Sequence, residues 1–435
     1  MGAVSGRLRA PKGTHDLLPP DSERFAAVEA TARRVFSSYG YGEIRTPTFE
    51  STELFARSVG ETTDIVHKEM YTFPDRKGRS LTLRPENTAG VVRALVEAGI
   101  QEAPRPIRLW YAGSQFRYEQ PQAGRYREFR QIGVELLGVG SAAGDAEVLI
   151  MLFAFLGELG FRDLVATLNC IPRGDARAAF SRALQEHVRP RASALGDEDR
   201  RRLEENPLRL YDSKDPEAAK ILEGAPATLD FLDEGARAHH LRLQELLREA
   251  GVRFVESSAI VRGLDYYTLT VFEVASERLG AQNAILGGGR YDGLVESLGG
   301  QPTPAIGFAI GEDRLVAAME ADARSPRPVF FVIPGSPADV DYALAVSGAI
   351  RELAPGSVVE TDLTARGFPK GLARAAAALE KPERYAFRAS SVRAVLLGAD
   401  EREGERVTVK DLATGSQRSF ARTALGEELG AARDR

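Results

Sequence analysis

The strongest constraint on the fold is a pair of segments, 106–119 (PIRLWYAGSQFRYE) and 128–138 (EFRQIGVELLG), that both read as strands. The polar, glycine-containing loop QPQAGRYR joins them, which predicts a long-looped antiparallel hairpin. Side chains alternate across a strand, so from Phe116 onward one face holds Phe116 and Tyr118 with Ile132, Val134 and Leu136. The opposite face holds Arg117, Glu119, Phe129, Gln131 and Glu135. The first row suits a core. The second is polar enough for a solvated surface, but Phe129 and Gly133 lie among its charges, and it reads as a cleft floor.

The flanking text extends this sheet. Residues 21–38 place Phe25, Val28, Ala32 and Val35 or Phe36 at helical spacing behind Asp21 or Ser22 as N-cap, and EIRTPTFE (43–50) looks extended. Residues 144–158 (GDAEVLIMLFAFLGE) are apolar nearly all round yet too short to span a bilayer, so they read as a buried packing helix. A charged, helical stretch follows. Strand text returns with AIVRGLDYYTLTVFEVAS (259–276), ILGGGRYDGL (285–294) and PAIGFAI (304–310), the last entering the helix GEDRLVAAME. Two β-rich blocks around a helical insert predict one discontinuous antiparallel sheet. RSPRPV (324–329) has linker chemistry, and β and α text alternate beyond it. The predicted class is α+β: an antiparallel β-sheet flanked by helices, with core segments 1–170 and 255–323, a helical insertion 171–254, and a C-terminal α/β domain 327–435.

Composition narrows the function. A hydrophobic content of 43% with 27% charged residues is that of a folded globular chain, and a net charge of −5 gives no global attraction to a polyanion. The lone Cys170 cannot form an intramolecular disulfide, and five scattered histidines offer no zinc spacing, so no protein-held metal site is predicted. With no run of 18 apolar residues and no signal-like start, the expected place is the reducing cytoplasm, away from membranes. Neither a P-loop nor a G-x-G-x-x-G turn between strand and helix is present, which disfavours P-loop and Rossmann enzymes. Cys170 and Trp110 read as core, and His239 and His240 as surface or packing residues of a helix.

The remaining signal is a set of arginines in strand or strand-to-helix contexts: Arg117 in FRYE, Arg125 in GRYR, Arg262 in VRGLDYY and Arg314 in GEDR. A guanidinium is a permanent, planar cation suited to phosphate oxygens, and its flat face stacks on a base. Any one alone would be a surface ion pair. Arg117 shares its face with Phe129, Gln131 and Glu135, an arrangement able to hold a nucleotide triphosphate beside a small cationic amine. GGGRYDG (287–293) by itself is read as a tight turn, glycine serving positions of positive φ.

These residues resemble the histidyl-tRNA synthetases, a family of class II aminoacyl-tRNA synthetases, along nearly the whole chain. The matching text is PKGTHDLLP, TLRPENTAG (82–90), FRYEQPQAGRYREFRQIGVE (116–135), VRGLDYYTLTVFE (261–273), GGGRYDGL (287–294) and PAIGFAIGEDRL (304–315). RGLDYY with GGRYDG is specific to the histidine-using branch, whereas the FRYE and GEDR arginines are common to the wider class. The resemblance implies a class II sheet, a C-terminal anticodon-binding domain, and ATP with Mg²⁺ as the reagents that join L-histidine to its tRNA. It implies that Arg117 and Arg262 contact the ATP α-phosphate, that Phe129 and Arg314 sandwich the adenine, and that Arg125 reaches the γ-phosphate. Glu86, Thr88 and Gln131 would bind the histidine amino group, Glu135 and Tyr267 the imidazole, with Tyr291 lining the pocket and Arg262 also touching histidine. A homodimer is implied through the PTFE region (47–50).

Four positions depart from the family's usual residues: Asn87 for glycine, Gln120 for arginine, Arg130 for histidine and Leu269 for arginine. Gln120 falls in the loop that in the family approaches the tRNA acceptor end. Two alternatives stand beside the synthetase reading. A non-catalytic paralogue, the regulatory subunit of ATP phosphoribosyltransferase, would lose the motif arginines and end after the core, whereas this chain keeps both. A class II synthetase for threonine, proline or glycine would lack RGLDYY.

Overall fold

Helix α1 (Asp21–Ser38) forms where Val28, Ala32, Val35 and Phe36 fall on one buried stripe. It stops before Gly40, whose φ of 83° suits a residue without a β-carbon. The computed structural model describes residues 8–60, 63, 65–99, 106–120, 126–213, 215–261, 266–275, 284–319 and 324–430. Two compact units emerge, Met1–Asp16 with Val28–Ala321, and Leu17–Ala27 with Asp322–Arg435.

In the first unit, the part of α1 from Val28 onward is followed by β1 (Gly42–Glu43), β2 (Phe49–Ser51), α2 (Thr52–Val59), β3 (Thr72–Pro74), β4 (Ser80–Leu83) and α3 (Thr88–Glu97). Then come the hairpin strands β5 (Ile107–Phe116) and β6 (Glu128–Leu137), α4 (Ala142–Glu158) and β7 (Val165–Ile171). The helical stretch holds α5 (Gly174–Val188), α6 (Asp197–Glu205), α7 (Pro216–Leu222) and α8 (Glu234–Glu249). The unit closes with β8 (Phe254–Glu256), β9 (Thr268–Ala275), β10 (Ala284–Arg290), α9 (Leu294–Ser297), β11 (Ala305–Gly311) and α10 (Glu312–Ala318).

Eight strands form one sheet in the order β1-β5-β6-β11-β10-β9-β7-β8, so the two β-rich blocks do join across β6 and β11. The expected antiparallel pairing holds through the middle, while the edge pairs β1 with β5 and β7 with β8 are parallel. One face carries Ile132, Val134 and Leu136 against α4, whose Leu149, Met151, Leu152 and Phe155 are fully buried. Phe36 ties this layer together through ring contacts with Trp110, Phe155 and Phe308. Cys170 and Trp110 are core, as expected. Helices α3 and α9 cover part of the other face through Val91, Leu95, Leu294 and Val295.

The helical stretch builds its own apolar cluster from Phe180, Leu184, Val188, Leu203 and Leu210, and this cluster includes Val261 and Val271 from the sheet side. A small three-stranded sheet, β2-β4-β3, stands apart from the large one.

Several local expectations change. EIRTPTFE supplies only the ends of β1 and β2. The strand expected over 259–276 begins at Thr268, with 262–265 outside the described residues. Tyr118 does not join the core and Phe116 is only half-buried; β5 ends at Phe116, so alternation no longer governs Tyr118, which stays 55% exposed with the Arg127 guanidinium 4.0 Å over its ring. Glu119 leaves the strand for the same reason.

The second unit contains β12 (Pro326–Pro334), α11 (Val340–Leu353), β13 (Val358–Thr361), α12 (Phe368–Glu380), β14 (Arg388–Leu397), α13 (Ala399–Glu403), β15 (Arg406–Asp411), β16 (Gln417–Ala421) and α14 (Leu425–Gly430). Its sheet runs β13-β12-β14-β15-β16. The run VFFVI is apolar throughout because β12 is covered on both sides: Phe330 and Val332 meet α11, while Val329, Phe331 and Ile333 meet α12. The expected linker 324–329 is largely strand. Pro326 and Pro328 are tolerated there because β13 pairs with β12 only from Val329 onward. Among the described residues no helix is long and apolar enough to cross a membrane.

Candidate active site

The site face of the large sheet is stripped of side chains where three strands meet. Glu135 on β6 stands opposite Gly307 on β11, which stands opposite Gly289 on β10. A β-carbon at Gly307 would lie 2.0 Å from Glu135 Oε2, one at Gly133 2.2 Å from the Tyr111 ring, and one at Gly289 2.8 Å from the Tyr267 ring. The glycines let Glu135, Tyr111 and Tyr267 lie across the sheet floor. This corrects the expectation for GGGRYDG: Gly287, Gly288 and Gly289 lie within a strand, and it is close approach that excludes a side chain at Gly288 and Gly289.

Above this floor is a cavity of about 130 Å³ lined by Glu86, Thr88, Tyr111, Arg117, Gln131, Glu135, Tyr266, Tyr267 and Tyr291, with Gly287, Gly307, Phe308 and Ala309 below. Glu86 is buried at the start of α3, where it accepts the Thr88 and Ala89 backbone N–H groups at 2.7 and 3.0 Å. Burial raises its pKa despite those donors. Glu135 Oε1 accepts the Thr88 hydroxyl at 2.7 Å and Oε2 accepts the Tyr291 hydroxyl. Burial dominates here too and pushes the Glu135 carboxyl up to about 8. The Tyr111 hydroxyl and Gln131 Oε1 are buried with no hydrogen-bond partner, polar atoms of the kind a bound polar ligand satisfies.

Arg117 extends from this cavity toward Phe129. Its Nε donates to Pro85 O at 2.9 Å and its guanidinium lies 5.3 Å over the Phe129 ring. Arg314 sits in the first turn of α10, three residues after Gly311, which pairs with Gln131. That turn is braced by Arg130, whose backbone N–H donates to Asp313 Oδ2 at 2.9 Å and whose Nε donates to the buried Glu312 at 3.1 Å. Arg130 also pairs with Glu29 on α1. Burial raises the Glu312 pKa to about 8.

Of the residues expected in the site, Glu86, Thr88, Arg117, Gln131, Glu135, Tyr267 and Tyr291 line one cavity. Phe129 and Arg314 border its sheet on the Arg117 side. Arg125 and Arg262 lie outside the described residues. Sequence reasoning missed Tyr111 and Tyr266. Tyr111 has the same strand parity as Arg117, a signal lost by starting the alternation at Phe116, and Tyr266 stands inside RGLDYY. It also missed that Arg177 of α5 donates to Tyr267 O at 3.1 Å, so the helical stretch helps place this wall.

Two departures have clear packing. Asn87 Oδ1 accepts the Thr46 hydroxyl at 2.6 Å. Leu269 is buried at a φ of 52°, where β9 shifts register against β10. Gln120 is exposed.

A mainly antiparallel sheet carrying a polar cavity beside an arginine stacked on an aromatic ring defines a class II aminoacyl-tRNA synthetase catalytic fold. The family model described as histidyl-tRNA synthetase matches residues 13–315. The histidine–tRNA ligase of Halorhodospira halophila is 44% identical over 409 residues, covering 93% of each chain. That of Synechococcus elongatus is 42% identical over 418 residues, covering 96% of this chain and 94% of its own. The apo histidyl-tRNA synthetase crystal structure from S. aureus superposes with a TM-score of 0.77 at 32% identity, covering 97% and 99% of the two chains. The chain belongs to the histidyl-tRNA synthetase family.

Proposed function

We propose that this chain is a histidine–tRNA ligase: it activates L-histidine with ATP to histidyl-adenylate and passes the acyl group to histidine tRNA, releasing pyrophosphate and then AMP. The observation that carries this reading is the buried Glu135, held by Thr88 and Tyr291 over a glycine floor and facing a small polar cavity. Family membership over more than nine-tenths of both chains supports it, and the non-catalytic paralogue has less support.

Glu135 and Tyr267 hydrogen-bond the imidazole. A site that leaves the buried Tyr111 hydroxyl unpaired when the side chain lacks those nitrogens rejects apolar analogues by about 10⁴ to 10⁵. Burial raises the Glu135 pKa to about 8, and an imidazole bound against it makes the two groups titrate as one system. Glu86, Thr88 and Gln131 take the ammonium group. The Thr88 hydroxyl proton is spent on Glu135, which leaves its oxygen free to accept.

The histidine carboxylate oxygen then attacks the α-phosphorus of ATP in line. The new P–O bond forms as the bond to the pyrophosphate breaks, and Arg117 and Arg262 stabilise the charge that develops there. Phe129 and Arg314 hold the adenine and Arg125 the γ-phosphate. Mg²⁺ enters on the triphosphate as part of the substrate.

In the second step a ribose hydroxyl of the 3′-terminal adenosine attacks the carbonyl carbon, and AMP leaves. Residues 327–435 bind the anticodon stem-loop. The enzyme works in the cytoplasm as a homodimer; Phe49 of PTFE and Phe73, 52% and 40% exposed with their rings 6.4 Å apart, form an apolar patch on the β2-β4-β3 sheet that suits a second copy. The test is ATP-dependent transfer of labelled histidine to tRNA. Acid-precipitable label that requires both ATP and histidine tRNA is expected; no transfer under any ATP and Mg²⁺ condition contradicts the assignment.

A further inference from the structure

Tyr291 is held from behind by a charge cluster that never reaches the cavity. Its chain neighbour Arg290 is fully buried on the α4 side of the sheet. Arg290 Nε donates to Asp145 Oδ1 at 2.9 Å and to Oδ2 at 3.2 Å, and Nη2 donates to Oδ1 at 2.8 Å. Asp145, in the first turn of α4, is itself fully buried. Nη2 also donates to Val139 O at 2.6 Å, and Nη1 donates to Asp292 Oδ1 at 2.8 Å. The same Asp292 oxygen accepts the Ala305 backbone N–H at 3.1 Å. On the far side, His239 Nε2 of α8 lies 2.8 Å from Asp145 Oδ2.

Two fully buried charges are a poor way to gain stability, because well-packed apolar side chains of similar volume serve as well or better. What such a pair does supply is a single geometry, since every nitrogen and oxygen must find its partner. That geometry is applied to the residues on both sides of Tyr291, whose phenol must reach Glu135 across three strands. Displacement of a site group by about 1 Å is enough to lose productive alignment.

We infer that the Arg290–Asp145 pair, capped by His239, is the positioning device for histidine recognition: it fixes the strand end so that the Tyr291 hydroxyl holds Glu135 toward the imidazole. The inference rests on the reading of this cavity as the histidine pocket. Arg290, Asp145 and His239 are positioning residues here; none touches substrate. The path also runs from α8, at the end of the helical stretch, to the pocket.

A double-mutant cycle on the full-length enzyme tests it, with histidine-dependent pyrophosphate exchange as the readout. Tyr291→Phe alone is expected to raise the histidine KM by about tenfold or more. Asp145→Asn, which keeps the shape but loses the charge, is expected to raise the histidine KM comparably while the ATP KM stays within about twofold. In the Tyr291→Phe background, Asp145→Asn should then add less than about twofold, because its route to the substrate is already cut. Asp292→Asn, at the more exposed end of the cluster, runs the same cycle if Asp145→Asn does not fold. Equal factors in both backgrounds, or ATP and histidine KM rising together, overturn the positioning role while leaving the pocket assignment intact. No effect of Tyr291→Phe on histidine KM removes both.

Discussion

Glu135 on β6 and Gly307 on β11 are cross-strand partners, and a β-carbon at 307 would come within 2.0 Å of Glu135 Oε2 and 2.3 Å of the Val134 carbonyl oxygen. The carboxylate can lie over the sheet only because nothing projects from 307. Gly307→Ala therefore has to displace either a strand backbone or the Glu135 carboxyl proposed to bind the imidazole. The variant should lose about 10²-fold or more in kcat/KM for histidine exchange and about 1–3 kcal/mol of stability. Steady-state kinetics with a denaturation midpoint checks both, and wild-type kinetics in the variant would show that Glu135 is not the contact.

The buried Glu135 also predicts how stability depends on pH. Its folded pKa of about 8 lies above the ordinary carboxyl value, so the folded state binds its proton more tightly than the unfolded chain. The stabilisation is complete below the unfolded pKa and is lost as pH rises toward about 8. Glu135→Gln has no such titration. The melting temperature of the ligand-free variant, relative to wild type, should climb between pH of about 5 and about 8 and then level off. Parallel melting curves across that range would contradict the burial argument.

Leu269 offers a test of backbone strain. It holds a φ of 52° inside β9 while its side chain packs with Cys170 and Ala236. Truncation to either alanine or glycine removes that packing, but only glycine relieves the φ. Leu269→Gly should therefore be more stable than Leu269→Ala by about 1 kcal/mol, reversing the usual order within a strand. Chemical denaturation of the pair is the measurement.

The apolar patch of Phe49 and Phe73 carries the homodimer proposal. Replacing both with glutamate places like charges where two copies would meet. Light scattering should then report a monomer for the variant and a dimer for wild type, and an unchanged mass for the variant would move the interface elsewhere.

Much of this architecture was legible because it follows short-range rules. The hairpin declares itself through the alternation of its apolar residues, and the buried helix read at 144–158 through an apolar run too short to span a bilayer. Tyr118 was misread because alternation holds only while the strand continues, and no local signal marks its end at Phe116. The glycines of β10 were read through φ when their reason is the approach of Tyr267 and a neighbouring strand, which only the assembled sheet reveals. Arg290 and Asp145 stand 145 positions apart, and His239 a further 94 from Asp145, so their cluster leaves no trace in local pattern. The site residues themselves were reached mainly through the resemblance. Strand parity alone would have grouped Phe129, Gln131 and Glu135 but not Glu86 or Tyr291, which arrive from a helix start and a strand end.

The most direct measurement is ATP–pyrophosphate exchange by the wild-type enzyme with each of the twenty amino acids in turn. Strong exchange with histidine and background with the other nineteen is the expected result. Exchange driven by a different amino acid, with histidine inactive, would contradict the pocket described around Glu135.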